Sequence, residues 1–153
     1  MPEAKATAQA AGTYVDPYRA FNFKVEVGGV TEGHFTEVSG LGARVTPISY
    51  REAGNSQVVH YVPGRVDYSE VTLRYGVTRS RELFDWFKSG VTGHVQRKNI
   101  SIILLDADGT TEVMRWNLDK AWATEWHGSL LDAHNQEVAI ESVTLVCESM
   151  DRG

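Results

Sequence analysis

The sequence predicts a mainly β fold: an antiparallel β-sandwich or open barrel with one covering α-helix. Most apolar segments alternate with polar residues at the two-residue period of a half-buried strand, and Gly, Pro or Asp residues bound them. One segment, at about residues 80–89, carries instead the apolar stripe of a helix. Strands interrupted by a single helix are typical of layered antiparallel architectures, which is why we expect this fold class.

The first hairpin is predicted close to the N-terminus. Apolar side chains occupy the odd positions of residues 21–27, the pattern of a strand with one buried face. Gly28 and Gly29 then supply the positive-φ positions that a tight hairpin needs. We expect Phe35 and Val38 to re-enter the core on the chain that follows.

Residues 43–68 show no sustained hydrophobic period. Pro47, Gly54 and Pro63 punctuate the segment, and its one possible short strand lies at residues 57–62. A long irregular connection inside a compact domain is unusual and often functional. This excursion is therefore a candidate functional segment, with an ordinary surface loop as the alternative.

A strand at residues 69–77 is expected to lead into the helix. Thr78 or Ser80 is positioned to cap the helix N-terminus, and Gly90 to end it. The helix is expected to dock on the sheet through one apolar stripe, formed by Leu83, Phe84, Trp86 and Phe87.

The C-terminal third predicts three further strands. Residues 99–106 form a nearly continuous apolar run, as in a strand buried on both faces. A turn at Asp106-Ala-Asp-Gly109 leads to a return strand at residues 111–118. We expect an irregular bend at residues 119–129 and a final strand at about residues 137–148.

Length and composition limit the function classes. The 153 residues suit one domain, and we expect a flexible lead-in at residues 1–15 before a single domain at residues 16–150. A formal charge of −5 argues against a protein built to grip nucleic acid. No apolar stretch has spanning length, so we expect no membrane insertion by this chain alone. Cys147 lies in an apolar pattern and is expected to be a buried free thiol.

No motif predicts catalysis, a metal or a cofactor. The segment from Asp106 begins like a calcium loop, but Asn117 stands where the bidentate Glu is required, and an Asp-Gly turn explains the same residues. The five histidines lack metal-binding spacing, and no nucleophile elbow or phosphate loop is present. Three tryptophans form an aromatic cluster in the sequence: Trp116, Trp122 and Trp126. Two interpretations of this cluster stay open, namely core packing and a sugar-stacking surface.

A series of short motifs runs through the chain in one order. They are Asp16-Pro-Tyr, Phe21-Asn-Phe-Lys-Val-Glu, Gly33-His-Phe-Thr-Glu-Val-Ser-Gly-Leu41, Tyr50-Arg-Glu-Ala-Gly-Asn55, Pro63-Gly64, Val71-Thr-Leu, Arg97-Lys-Asn-Ile-Ser-Ile-Ile-Leu-Leu-Asp106, Trp116, Ala121-Trp122 and Ala139-Ile-Glu141. In their order and spacing they resemble the inner tail-tube proteins of contractile phages and related contractile injection systems. The chain departs at Ala123 and at Gly128-Ser129, where relatives commonly have proline and Gly-Pro.

The resemblance implies a structural, non-enzymatic protein that needs no cofactor. Such proteins form homohexameric rings that stack into a tube, and a contractile sheath drives the tube. Baseplate or hub proteins and tube-capping proteins complete the particle, and DNA or an effector protein is the cargo. The N-terminal residues lack the apolar region of a secretory signal, so we expect synthesis in the bacterial cytoplasm before assembly. The alternatives are a tube-initiating baseplate protein of the same fold and a monomeric ligand- or sugar-binding β-barrel.

The resemblance also suggests where subunits meet. We expect the 43–68 excursion, the first hairpin tip and the N-terminal segment to contact an adjacent ring. The candidate inter-ring or inter-subunit contacts are Gly28, Gly29, Arg44, Tyr50, Arg51, Glu52, Asn55 and Arg65.

Overall fold

The computed structural model describes residues 22–28, 30–31, 35–54, 57–77, 81–134 and 138–153. Ten strands and one helix are present in this part of the chain. They are β1 Phe23–Val27, β2 Val30–Thr31, β3 Phe35–Ser39, β4 Ala43–Tyr50, β5 His60–Tyr68, β6 Val71–Gly76, α1 Glu82–Val91, β7 Lys98–Leu105, β8 Glu112–His127, β9 Ile140–Val146 and β10 Ser149–Arg152. The predicted lead-in, the expected N-caps of the helix, Gly29 and Asn55 lie outside the described residues.

One long strand, β8, joins two antiparallel halves of the large sheet. Its N-terminal half, up to Ala121, pairs with β7 and β10; β7 pairs in turn with β1, and β1 pairs with β2. Its C-terminal half, from Trp122, pairs with β9, which continues through β6 to β3. The result is the predicted open antiparallel β architecture with a single helix, and it is not a closed barrel.

The core lies between the two halves and the helix. Val25, Ile100 and Leu118 come from the half that contains β7, and each is at most 1% exposed. Leu73, Val143 and Leu145 come from the other half and are fully buried. Trp86 of the helix packs into this core, and its Nε1 donates a hydrogen bond to the Gln96 carbonyl oxygen at 2.6 Å. The predicted strand faces and the predicted docking stripe of the helix therefore meet in one apolar cluster.

The first hairpin forms at the predicted glycines. Val27 lies opposite Val30, so the turn contains two residues, and Gly28 has the positive φ of 63° that such turns use. Phe35 and Val38 pack against the core, as expected. Their strand, β3, pairs with β6 rather than with β1.

The prediction of an irregular excursion at residues 43–68 was wrong. The segment is a β-hairpin, β4 paired with β5, and it pairs with no strand of the large sheet. Two prolines, Pro47 and Pro63, suggested breaks, but they lie opposite one another in the two strands. A strand that is not bound on both sides tolerates a proline, because its outer N–H groups have no ladder partner.

The predicted bend at residues 119–129 was also wrong over most of its length. β8 continues as far as His127, with a left-handed residue at Lys120 (φ 49°) and a register shift between Ala123 and Glu125. Both irregularities break the alternation that the sequence would otherwise show, since a bulge shifts side chains to the other face.

Two element ends differ from the expectations. The helix continues through Gly90 to Val91, and the left-handed glycine after it is Gly93, with φ 85°. The last predicted strand is β9, which ends at Val146 because the chain is interrupted at Cys147 and Glu148, and β10, which was not predicted, follows. Cys147 is a free thiol and is half-buried rather than buried; burial, with a smaller contribution from Asp119, raises its pKa.

Candidate assembly surfaces

The β4–β5 hairpin is a projecting element with a defined register. Its base is closed by a hydrogen bond from the Ser69 N–H to the Gly42 carbonyl oxygen at 2.9 Å. Between the Val45–Val66 pair and the Pro47–Pro63 pair, one residue of β4 faces two residues of β5, which is a β-bulge. The hairpin therefore has a fixed base and a locally increased twist.

Both faces of this hairpin expose apolar side chains. Seven large apolar residues in and beside the two strands are between 40% and 69% exposed: Val45, Ile48, Tyr50, Val58, Tyr61, Val62 and Val66. A two-stranded hairpin is at best marginally stable alone in water. Exposed apolar patches of this kind mark contact surfaces, so the hairpin has the character of an element that packs on another subunit.

The structure brings several predicted contact residues together on this hairpin. Arg44 lies opposite Asp67 in the register, and Arg65 forms a 3.2 Å ion pair with the same carboxylate. Tyr50 stacks on His60 with a ring-centroid distance of 5.2 Å, which pins the two strands together near the tip.

The remaining predicted contact residues are more scattered. Arg51 and Glu52 follow β4 toward the tip and are exposed. Gly28 lies on a different turn, at the end of β1, whose strand belongs to the large sheet and not to the two-stranded hairpin. Asn55 and Gly29 are outside the described residues.

The half of the sheet that contains β6 and β9 has two open edges. β3 pairs with β6 on one side, and no described strand covers its other side. The C-terminal half of β8 pairs with β9 and likewise has no second described partner. Open edges present unpaired N–H and C=O groups and are ready to pair with another chain.

The face of this four-stranded half that points away from the core is mostly polar. The Thr72 and Thr144 hydroxyls lie 3.4 Å apart across β6 and β9. Arg74 forms a 3.5 Å ion pair with Glu37, and His127 lies 3.2 Å from Glu125. The Arg74–Glu37 and His127–Glu125 pairs are exposed, so each contributes little to stability, but together with the hydroxyl groups they make the surface hydrophilic.

A second apolar surface, which the sequence analysis missed, lies between β8 and β9. Leu130 is 79% exposed, Leu131 86% and Val138 76%. The signal in the sequence was an adjacent pair of leucines between Gly128-Ser129 and Asp132, where neither a strand nor a helix period accounts for them. Apolar residues in a polar loop indicate contact with a partner.

The three tryptophans of the aromatic cluster do not form one platform. Trp116 packs against the core, and Trp126 packs edge-on against Phe84 of the helix at 5.0 Å. Trp122 lies opposite Val146, one residue before Ala123, which pairs with the buried Leu145. Because side chains alternate along a strand, Trp122 lies on the face of the sheet that points away from the core.

Among the described residues, no three His, Cys, Asp or Glu side chains lie close enough together to hold a metal ion. None of the described helices has the length and apolar character to cross a membrane.

An open antiparallel β fold with one helix is the fold of tail tube proteins. The family described as "T4-like virus tail tube protein gp19" matches residues 19–151. The chain belongs to this family, and its role is that of a structural tube protomer. No curated protein sequence matches the chain significantly.

Solved structures of contractile injection systems share this fold. The chain is 32% identical to a chain of the PVC sheath–tube complex in the extended state, with a TM-score of 0.81 over 96% of this chain and 97% of that one. It is 30% identical to a chain of the PVC sheath/tube terminator, with a TM-score of 0.83 over 92% and 99%. Hcp1 from Flavobacterium johnsoniae, at 16% identity and a TM-score of 0.59 over 87% and 95%, shares the fold alone.

Proposed function

We propose that this chain forms the inner tube of a contractile phage tail or contractile injection system as stacked hexameric rings. The tube is a conduit for DNA or protein effectors, and its work is mechanical, with no bond broken by the protein. The observation that carries the proposal is the pair of open edges on the four-stranded half of the sheet, in a chain of the tail tube family.

Strand direction supports ring closure through these edges. The half contains four strands, and each pairs antiparallel with its neighbour. β3 and the C-terminal half of β8 therefore run in opposite directions. When copies are related by a rotation, β3 of one copy meets β8 of the next as one more antiparallel pair. A closed ring of this kind leaves no open edge.

The same geometry supports an assignment of the lumen wall. The other half of the sheet and the helix lie on the core side of the four strands, so they occupy the outside of a ring. The polar face, with Thr72, Thr144 and the Glu37–Arg74 pair, then lines the conduit. Hydroxyl groups and paired charges offer cargo few points of adhesion, and the net charge of −5 keeps polyanionic cargo from adhering.

Stacking of rings is assigned to the β4–β5 hairpin. Its exposed apolar faces and its three arginines, Arg44, Arg51 and Arg65, suit a contact with the adjacent ring. We propose Tyr50, Glu52 and Asn55 as further contacts near the tip, with Gly28 and Gly29 at the first hairpin.

The remaining partners follow from the kind of particle. Similar structures are a sheath–tube complex, a sheath/tube terminator and an anti-feeding prophage cap. We propose that a contractile sheath surrounds the tube and that baseplate or hub and capping proteins bind its ends. We further propose synthesis in the bacterial cytoplasm, and one tail-tube-like domain at residues 16–150 after a flexible lead-in.

The test is electron microscopy combined with light scattering across a protein concentration series. Rings and stacked tubes are the expected result, and a strict monomer at every concentration would contradict the proposal. The hairpin is tested by replacing residues 51–59 with Asn-Gly, which joins Tyr50 and His60, already opposite one another, by a two-residue turn. We expect this variant to fold and to form no tubes. Tubes of unchanged length and stability would refute the stacking role.

A further inference from the structure

Exposed apolar side chains are concentrated at two places in the molecule. Of the twelve large apolar residues that are exposed in the described part of the chain, seven belong to the β4–β5 hairpin. Four others surround the β8–β9 loop, and we call them the receiving surface: Val77, Leu130, Leu131 and Val138. The twelfth, Val91, ends the helix. Such a distribution indicates two specific contact surfaces rather than scattered exposure.

These two surfaces lie at opposite ends of the four-stranded half. The hairpin leaves the sheet after β3 and returns to it at β6, at the end where Ser39 pairs with Thr72. The receiving surface lies where β6 ends and β9 begins, the end marked by the pairing of Gly76 with Ile140. The six residues of β6 separate the two ends by roughly 20 Å.

The receiving surface has an ordered backbone beneath its exposed side chains. The Ile140 N–H donates to Ser129 Oγ at 3.1 Å, and Ser129 Oγ donates to the Leu130 carbonyl oxygen at 3.2 Å. The Val77 N–H donates to the Ala139 carbonyl oxygen at 3.0 Å, which ties β6 to the loop. An open cleft of about 500 Å³ lies against these residues. The leucines therefore lie beside a hydrogen-bonded stretch of described backbone, so little ordering of that stretch is needed when they bind.

Charge is complementary between the two surfaces. The segment 43–68 contains three arginines and two acidic residues, which gives it a formal charge of +1 in a chain of −5. The cleft at the receiving surface includes Asp132, whose carboxylate also accepts a hydrogen bond from the His134 N–H at 3.0 Å. A basic apolar hairpin and an acidic apolar loop favour one relative orientation of two copies.

We propose that the receiving surface binds the β4–β5 hairpin of a second copy of this chain, in the adjacent ring. The inference rests on the proposed function, and it identifies the partner of the hairpin. Two different surfaces at opposite ends of one subunit make a heterologous contact, which repeats without closing. Rings joined in this way stack head to tail, so every ring in the tube points in the same direction.

The first test compares two aspartate variants by the same microscopy and light scattering. In the double variant Leu130→Asp/Leu131→Asp we expect separate rings and loss of stacked tubes, since charges cannot be buried against the apolar hairpin. Val91→Asp is the control, because it changes an apolar residue that is 69% exposed and lies outside both surfaces, and we expect it to form tubes like the unchanged protein. Normal tubes from the double variant would overturn the inference and leave the tube function standing. If the unchanged protein is a monomer at every concentration, the result contradicts both this inference and the proposed tube function.

The second test is disulfide trapping in the Cys147→Ser background. One chain carries Leu131→Cys, and the other carries Ile48→Cys or Tyr61→Cys, which lie on opposite faces of the hairpin because their positions alternate in the register. Oxidation of mixed assemblies is expected to give a cross-linked dimer with one of the two hairpin cysteines. The same hairpin variants paired with Val91→Cys should give none. Equal cross-linking at Leu131→Cys and Val91→Cys would count against the receiving surface.

Discussion

Tyr75 and Glu141 lie opposite one another on β6 and β9, and the Tyr75 hydroxyl donates a hydrogen bond to Glu141 Oε2 at 3.1 Å. Tyr75 also packs edge-on against Phe35 of β3, with ring centroids 6.0 Å apart. Three strands of the four-stranded half thus meet at one tyrosine. Burial, followed by the negative charge of Glu141, raises the pKa of Tyr75 from 10.0 to about 12.

We predict that this tyrosine ionises well above the ordinary phenol pKa of 10.0. Because its pKa is raised in the folded state, the stability it contributes is fully present below pH 10 and is lost as the pH rises through about 12. Spectrophotometric titration should show one late phenol, and Tyr75→Phe should remove it. The variant should also lose about 1 kcal/mol of unfolding free energy at neutral pH. A late phenol that persists in Tyr75→Phe would contradict the assignment.

Asp108 organises the turn between β7 and β8. Its carboxylate accepts hydrogen bonds from the Thr111 hydroxyl and from the N–H groups of Thr111 and Thr110, and these lower its pKa from 3.8 to about 2. The stabilisation is present above pH 3.8 and is lost as the pH falls through about 2. We predict that Asp108→Ala lowers the melting temperature at pH 7 and that the difference narrows as the pH falls from 3.8 toward 2. In Thr111→Val, which keeps both N–H donors, NMR titration should find the Asp108 pKa only partly restored.

Gly40 is constrained by the backbone at the base of the hairpin. Its φ is 89°, and a Cβ there would overlap the Glu70 carbonyl oxygen. We predict that Gly40→Ala costs more than about 2 kcal/mol of unfolding free energy, since strain and overlap add. Gly109→Ala is the control: φ is 75°, but the space around the glycine is open, so the cost should be near 1 kcal/mol. Denaturant unfolding of dilute, unassembled protein measures both, and equal costs would contradict the overlap.

Trp86 joins the helix to the chain that follows it. Its indole is 3% exposed and donates to the Gln96 carbonyl oxygen, and the Lys98 ammonium lies 5.5 Å from its ring centroid. We predict that Trp86→Phe lowers the unfolding free energy by about 1–3 kcal/mol, because the hydrogen bond to the Gln96 carbonyl oxygen is lost and the smaller ring underfills a buried site. Trp122→Phe, on the opposite face of the sheet from the core, should change it by less than about 0.5 kcal/mol. Similar losses in the two variants would mean that the hydrogen bond is not what stabilises this contact.

Local elements were predictable where the burial of their side chains is periodic. Val25 and Val27 alternate with polar residues because one face of β1 is buried, and the run around Ile102 and Ile103 is continuous because both faces of β7 are covered. The turn at Asp106–Gly109 was confirmed for an equally local reason: the Gly109 N–H bonds back to the Asp106 carbonyl oxygen at 2.9 Å. Where burial repeats with the period of the backbone, the spacing of apolar residues in the sequence predicts the element.

β4 and the C-terminal half of β8 were not predicted, because their burial does not follow that period. β4 is exposed along its whole length and has apolar residues on both faces, so alternation is absent, and Pro47 suggested a break. β8 loses alternation at Lys120 and at the shift after Ala123. The hypothesised contacts Arg44, Tyr50 and Arg65 nevertheless fall on the projecting hairpin, while their role remains a prediction.

The sequence by itself determined the strand-rich class, the single helix, the glycine and aspartate turns and the tail tube family. Those features depend on residues that are close together in the chain, and the spacing of the apolar ones indicates which side chains are buried. Only the tertiary structure decided that β3 joins β6, that β8 links both halves, and that the hairpin and Leu130 lie at opposite ends. Such pairings join residues far apart in the chain, and backbone hydrogen bonds, which carry no side-chain signature, hold them together.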